Sequence, residues 1–453
     1  MINKKMRKKI SVIIVAMMMG LSLVACGNND TSSSSVDEVV AESTADVDID
    51  EEFEESGTST DSEKEVDTEE NNTASDAEET EEVVTTANVT ADGRIDATDM
   101  FTERDMTQTA DLSEAEYLEL KEGEDINISA AGVYVVSGSA SNVTIFVEAG
   151  DEDKVQIVID GASISNETAP AIYVKSADKV FVTTTDSDNS LEVAGTFEAD
   201  GDTNLDAVIF SKEDLVINGL GTLNITSSDN AVTSKDTLKV TGGTINVSCS
   251  GSALEAHDAV EIADGTINVT DSNDGIHAED SDDDSVGYVY ICGGSINITA
   301  ADDAIHGTTI VQIDDGNIIL NAAESIEGTY IQINGGDVNI EASDDGINAA
   351  YKSNSYTPTF EINDGTVTIN MGQGDTDGVD SNGNIYVNGG TLDISGQSTF
   401  DYDGTAEYNG GTIIENGSET NTITNQFFGG GGGMDGDHGG GMGAPDDGMF
   451  GPH

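Results

Sequence analysis

The 453-residue chain has no tryptophan, three cysteines, four prolines and only 16 Lys and Arg against 88 Asp and Glu, a formal charge of −72. Each scarcity excludes something. So few cations exclude nucleic acid as a partner, because phosphate binding needs grouped Lys or Arg. No Arg follows Arg104. The cysteines, Cys26, Cys249 and Cys292, are too few for a disulfide framework. A bridge between Cys249 and Cys292 stays open, although the two fall at different positions of the repeat described below.

Five of the cations (Lys4, Lys5, Arg7, Lys8, Lys9) precede an acid-free, mostly apolar run over residues 10–25. Residues 1–25 therefore read as a signal peptide, the run being shorter than the ~20 residues of a spanning helix. It ends L-V-A-C at Cys26, which resembles the lipobox of bacterial lipoproteins. That resemblance implies that Cys26 is acylated and becomes the mature N-terminus, anchoring an extracellular protein to a membrane through several chains. Without the leader, 11 cations face 88 acids, a formal −77. Residues 26–95, which include VDEVVAESTADVDIDEEFEES, are low in hydrophobicity and of one charge sign, so they read as a disordered, self-repelling linker. Residues 426–453 form a Gly/Met-rich disordered tail whose Asp435, Asp437 and His438 are weak candidates for metal contact.

Between these ends lies a repeat. A turn glycine recurs at 221, 243, 265, 294, 316, 336, 365, 390 and 411, in steps near 22 with two of 29. Around Gly265 three short apolar alternations follow one another: Val260 to Ile262, Ile267 to Val269 and Ile276 to Ala278. Alternation signals strands with one buried face, and three strands per repeat make one rung of a parallel β-helix, an all-β architecture over residues 96–425. Ile245, Ile267, Ile296, Ile318, Val338, Val367 and Leu392 then fill one inward column. Asn224, Asn246, Asn268, Asn297 and Asn339 face outward, as do Thr222, Thr244, Thr266, Ser295, Thr366 and Thr391. Such residues suit any solvated strand face, but amides repeated every ~4.8 Å would also run along a polysaccharide.

Acids collect before the third strand of each rung: Asp229, Asn273 with Asp274, Asp302 with Asp303, Asp344 with Asp345, Asp375 with Asp377, and Asp401 with Asp403. Stacked at roughly 5 Å, like charges at an effective dielectric near 20 repel by about 3 kcal/mol per pair. Past Lys212 only Lys235, Lys239 and Lys352 are present to offset them. Calcium fits, because it takes oxygen ligands and spans neighbouring rungs; Mg2+ demands tighter octahedral geometry. The alternative is that Asx residues merely close turns in screening salt. The outward position of the third strand reads Thr233, Glu255, His277, His306, Glu327, Asn348, Asp380 and Asp403. Zinc would want three or four such ligands, and only two His stand here.

The segment VYVVSGSASNVTIFVEAGDEDKVQIVIDGASISNETAPAIYVKSADKVFVTT (133–184), then AVIFSKEDLVINGLGTLNI and the DGI-type units, resembles the bacterial carbohydrate-binding domain-containing proteins, over residues 105 to 425. The resemblance implies a pectate-lyase-like right-handed parallel β-helix, bound calcium, and binding of plant cell-wall polysaccharide such as cellulose or polygalacturonate. It implies metal roles for Asp274, Asp302, Asp303, Asp344 and Asp345, and defines no sugar-contacting residues.

Three function classes follow. A pectin lyase needs a strong base, and among the repeats only Lys212, Lys235, Lys239 and Lys352 could serve. A hydrolase needs paired carboxylates; Asp302 and Asp303 are adjacent, but a Gly-His-Gly and an Arg-x-Lys are missing. The expectation is a non-catalytic binder, monomeric, with calcium bridging carboxylates to an acidic glycan. With aromatics at 5%, Tyr351 and Tyr356 are the candidate stacking residues beside Asn246, Asn268 and Asn297. A structural or adhesive surface rod shares every feature except the ligand.

Overall fold

A computed structural model describes residues 95–373 and 376–426. The leader, Cys26, the acidic linker, Asp375, and the tail with Asp435, Asp437 and His438 lie outside the described residues. The described part is all-β, with no α-helix and with parallel pairing almost throughout. One antiparallel hairpin, Thr412–Glu415 with Ser418–Thr420, ends it.

Strands come in threes. Ala259–Ile262, Thr266–Asp271 and Ile276–Ala278 make one coil, and each pairs in register with its counterparts in the coils before and after. The alternation explains which side chains enter the core. Ile267 and Val269 are buried while Asn268 between them is not, and the column Ile245, Ile267, Ile296, Ile318, Val338, Val367, Leu392 is continuous and at most 1% exposed. One coil buries too few aliphatics to stand alone; stacking merges them into one core. The repeat glycine makes the corner. Gly365 has φ +85°, and a Cβ there would lie 2.7 Å from the backbone carbon of Gly335 on the preceding coil.

Two departures from the plain coil bear on function. Residues 95–108 lie as a strap over the face made by the first strands. Ile95 N donates to Gln312 Oε1 (2.6 Å), Asn218 donates to the Asp105 carbonyl, Lys179 pairs with the buried Asp105 (3.4 Å), and the Arg104 guanidinium sits 4.5 Å over the Phe181 ring. The two 29-residue steps are loops, residues 279–287 and 350–358, and both leave from the end of a third strand. They meet where Asn354 donates to Asp284 (2.9 Å). One face is thus covered by the strap, and the third-strand face is flanked by loops. Cys249 and Cys292 are free thiols.

Because the inward column is continuous, Ile267→Ala is expected to cost about 2–5 kcal/mol in urea unfolding. Asn268→Ala, on the other side of the same strand, should cost about 1 kcal/mol or less. Equal effects would contradict the inward and outward assignment.

Candidate metal and ligand face

The third strands carry two adjacent ladders. The outer positions read Phe146, Tyr173, Phe210, Thr233, Glu255, His277, His306, Glu327, Asn348, Asp380 and Asp401 in strict register. Three residues earlier in each coil stand Asn230, Ser252, Asp274, Asp303, Glu324, Asp345, Asp377 and Ser398. Position therefore fixes neighbours, and composition changes the chemistry along the face.

The first stretch is aromatic. Phe146, Tyr173 and Phe210 pack in tilted and edge-to-face contacts at 5.9 and 5.7 Å beside Leu205, with Lys175 over the Tyr173 ring. The middle stretch interleaves acids with bases. His277 and His306 stack at 4.6 Å with planes 10° apart. His277 Nδ1 lies 3.3 Å from Asp274, and His306 Nδ1 lies 3.1 Å from Asp303 and 2.8 Å from Glu327. Glu279, first in its loop, approaches the Nε2 atoms of His277 (3.4 Å) and His306 (3.6 Å). Lys352, from the other loop, reaches Glu327 (2.6 Å). The last stretch is oxygen only: Asn348, Asp345, Asp377, Asp380 and Asp401.

Proton affinities follow this division. Burial opposes a charge on His277, but the Asp274 and Glu279 carboxylates beside the ring prevail and raise its pKa to about 10. Despite burial, His306 and Lys352 hold the Glu327 carboxyl low. Burial, then repulsion from Asp380, Asp344 and Asp377, pushes Asp345 up to about 8; burial with Asp401, Asp377 and Asp403 pushes Asp380 up to about 6. Asn348 spends its amide nitrogen on Glu324 (2.8 Å) and Glu327 (3.2 Å), leaving its carbonyl oxygen buried without a hydrogen-bond partner.

The structure divides the acid pairs expected from sequence. Asp274, Asp303, Asp345 and Asp377 face the ladder, whereas Asn273, Asp302 and Asp344 are exposed beside it. Asp229 aligns with the exposed set, because Asn230 is the ladder residue of its coil. The residue opposite Asp380 is Asp401, not Asp403: Phe400 is the buried partner of Val379, so Asp401 turns outward and Asp403 falls past the strand. Asn230, Ser252, Glu324 and Ser398 are ladder members that the acidic pattern does not mark. Their signal is the position three residues before an outward residue, hidden because none of them is Asp.

The polar strip on the second strands is less free than its sequence implied. Asn268 donates to Asn246 and Asn246 to Asn224, each at 2.9 Å, so these amides bind one another. Asn297 is exposed, but Ile319, 47% exposed, interrupts the series before Asn339. Tyr351 is 69% exposed beside Lys352, while Tyr356 packs against Tyr330 with rings 6.3 Å apart and is not a free platform.

The fold and face define a parallel all-β repeat protein with a third-strand ladder that runs from buried aromatics through imidazole to carboxylate. The chain belongs to the carbohydrate-binding domain-containing protein family, whose profile matches residues 122–378 and, overlapping, 322–421. A relative of the same description from Acetivibrio thermocellus is 35% identical over 122 residues, 26% of this chain and 43% of that protein. The match thus spans less than half of the relative's length. A solved polysaccharide lyase-like protein from C. thermocellum, a gadolinium derivative, aligns over 66% of this chain and 98% of its own at 22% identity, with a TM-score of 0.39.

The shifts predict a pH dependence for the metal-free protein. The carboxyls of Asp345 and Asp380, ordinarily at 3.8, titrate near 8 and 6 in the fold. The folded state therefore holds protons that the unfolded chain has released, and stability falls as pH rises from about 4 to 8. His277 adds to the same trend: the stability it contributes is complete below its ordinary 6.5 and is lost toward about 10. Melting in chelator should occur at lower temperature at pH 8 than at pH 5, and Asp345→Asn should flatten the slope. A melting temperature rising with pH over this window would overturn the assignment.

Proposed function

We propose that this protein is a non-catalytic binder of an acidic plant cell-wall-type polysaccharide, galacturonan rather than cellulose, through calcium held on the oxygen-only stretch. In this reading the coil is a right-handed parallel β-helix, the hand that parallel β connections take in about 98% of cases. Cys26 anchors it outside the cell, with residues 26–95 as spacer. Family membership supports carbohydrate as the ligand class.

The observation that carries the calcium reading is the stack Asn348, Asp380, Asp401 beside Asp345 and Asp377. Among the described residues no Lys, Arg or His pairs with Asp345, Asp380 or Asp401, and the unpartnered Asn348 Oδ1 adds a neutral oxygen. Neighbouring coils lie ~4.8 Å apart, a rise that a calcium ion with oxygen ligands at ~2.4 Å would bridge once the side chains turn toward it. Asp345, Asp377, Asp380, Asp401 and the Asn348 carbonyl would hold it. Bound calcium supplies positive charge to which uronate carboxylates attach, and so reverses the repulsion between an anionic rod and an anionic glycan. Asp274 and Asp303, which turn to the imidazoles, stand outside this donor set. Tyr351 offers a stacking surface on the rim.

Catalysis fits less well. Lys352 has its pKa raised by Glu327, the wrong direction for a base. Lys235 and Lys239 are paired with Glu255 and Glu261, Lys212 donates to Thr203, and Arg104 lies in the strap.

Retention on polygalacturonate should require calcium and vanish with chelator. Asp380→Asn and Asp345→Asn should each weaken it at least about tenfold, roughly the loss of one charge-assisted ligand contact. Reducing-sugar and unsaturated-product assays should read zero. Chelator-insensitive retention would remove calcium from the mechanism, product formation would make the protein an enzyme, and failure to retain any glycan would leave the adhesive rod.

A further inference from the structure

We propose that His277, His306 and Glu279 form a second, chemically distinct site that takes a divalent transition-metal ion of the zinc class, independent of calcium on the oxygen-only stretch. The two imidazoles come from equivalent positions of successive coils, so register alone places them together. The third ligand does not belong to the repeat. Glu279 opens the 279–287 loop and lies against both rings, 3.4 Å from His277 Nε2 and 3.6 Å from His306 Nε2, and the ligating atoms of all three fall within 4.8 Å of one another. In a tetrahedral zinc site with metal–ligand bonds near 2.05 Å, ligand atoms sit about 3.3–3.4 Å apart. The spacing to Glu279 is already close to that.

Two further observations point to an ion at these nitrogens. Metal-binding histidines usually give their other ring nitrogen to a carboxylate, which fixes the ring and directs the free nitrogen at the metal. Here His306 Nδ1 is hydrogen-bonded to Asp303 at 3.1 Å and Glu327 at 2.8 Å, and His277 Nδ1 lies 3.3 Å from Asp274 without the angle of a hydrogen bond. In both rings Nε2 is left toward Glu279. His306 is moreover only 4% exposed, and its Nε2 is buried with no hydrogen-bond partner. Buried polar atoms in folded proteins almost always have a partner, and a metal ion supplies one.

The donor set chooses the ion. Two imidazole nitrogens and one carboxylate suit Zn2+, Ni2+ or Cu2+ and not calcium, which takes oxygens. Three protein ligands leave a fourth position open, and the Glu279 side chain is 43% exposed, so that position faces solvent. It is available to water, or to a hydroxyl or carboxylate of a ligand lying along the face.

The test is zinc titration of the purified full chain by calorimetry in excess calcium, with cobalt(II) as a spectroscopic probe. The expected result is one calcium-insensitive Zn2+ per chain and the visible absorption of tetrahedral Co2+. Because His306 is buried and its replacement could unfold the coil, the diagnostic variants are Glu279→Gln and His277→Gln. Each should weaken zinc by at least about tenfold, the lower bound seen even for outer-shell partners of metal ligands, with unchanged calcium-dependent glycan retention. His438→Ala, in the tail, should leave the site intact. Absence of calcium-insensitive zinc binding, displacement of zinc by calcium, or wild-type affinity in the Glu279 and His277 variants would each overturn the proposal, the last by placing the ion elsewhere, at Asp303, His306 and Glu327 or outside both groups. None of these bears on calcium at Asp345 and Asp380.

Discussion

Parallel coils lie about 4.8 Å apart, so each side chain sits directly beneath its counterpart, and whatever chemistry one position carries is repeated into a column. For aliphatic positions repetition is favourable. Ile267 and its partners gain a continuous core that no single coil could supply. For carboxylates the same geometry is repulsive, by about 3 kcal/mol per neighbouring pair at an effective dielectric of 20. The third face follows from how that repulsion is met.

It is met differently along the length. The first coils avoid it with aromatic rings at Phe146, Tyr173 and Phe210. The middle coils interleave His277, His306 and Lys352 with Asp274, Asp303 and Glu327, so charge is compensated within the protein. The last coils do not compensate it, and burial with mutual repulsion drives Asp345 and Asp380 toward their protonated forms. Protons there perform the role that a divalent ion would perform better at neutral pH. The face is therefore compensated within the protein along its middle and left uncompensated over its last coils.

Much of this was legible in the sequence, because a fixed period converts spacing into contact. The inward column, the outward Asn and Thr positions and the stacking of His277 on His306 all follow from a repeat of about 22 residues and alternation of two. Where legibility failed, a local choice intervened. Glu324 carries the ladder position of its coil without the Asp that marks the coils on either side of it. Phe400 sets the phase of the last strand and so selects Asp401 over Asp403. Asn246 and Asn268 are outward as expected, but their amides are consumed by one another, and Tyr356 is folded onto Tyr330.

The sequence by itself determined the coil, its columns and the concentration of acids at one corner, since these depend only on period, alternation and charge count. Tertiary structure decided which acid of each corner pair turns onto the ladder, which face the strap covers, and where the two inserted loops meet. Those outcomes depend on atoms from non-equivalent positions converging in space, as Glu279 does between two rings of the repeat. Loops of unequal length carry no period from which such convergence can be read.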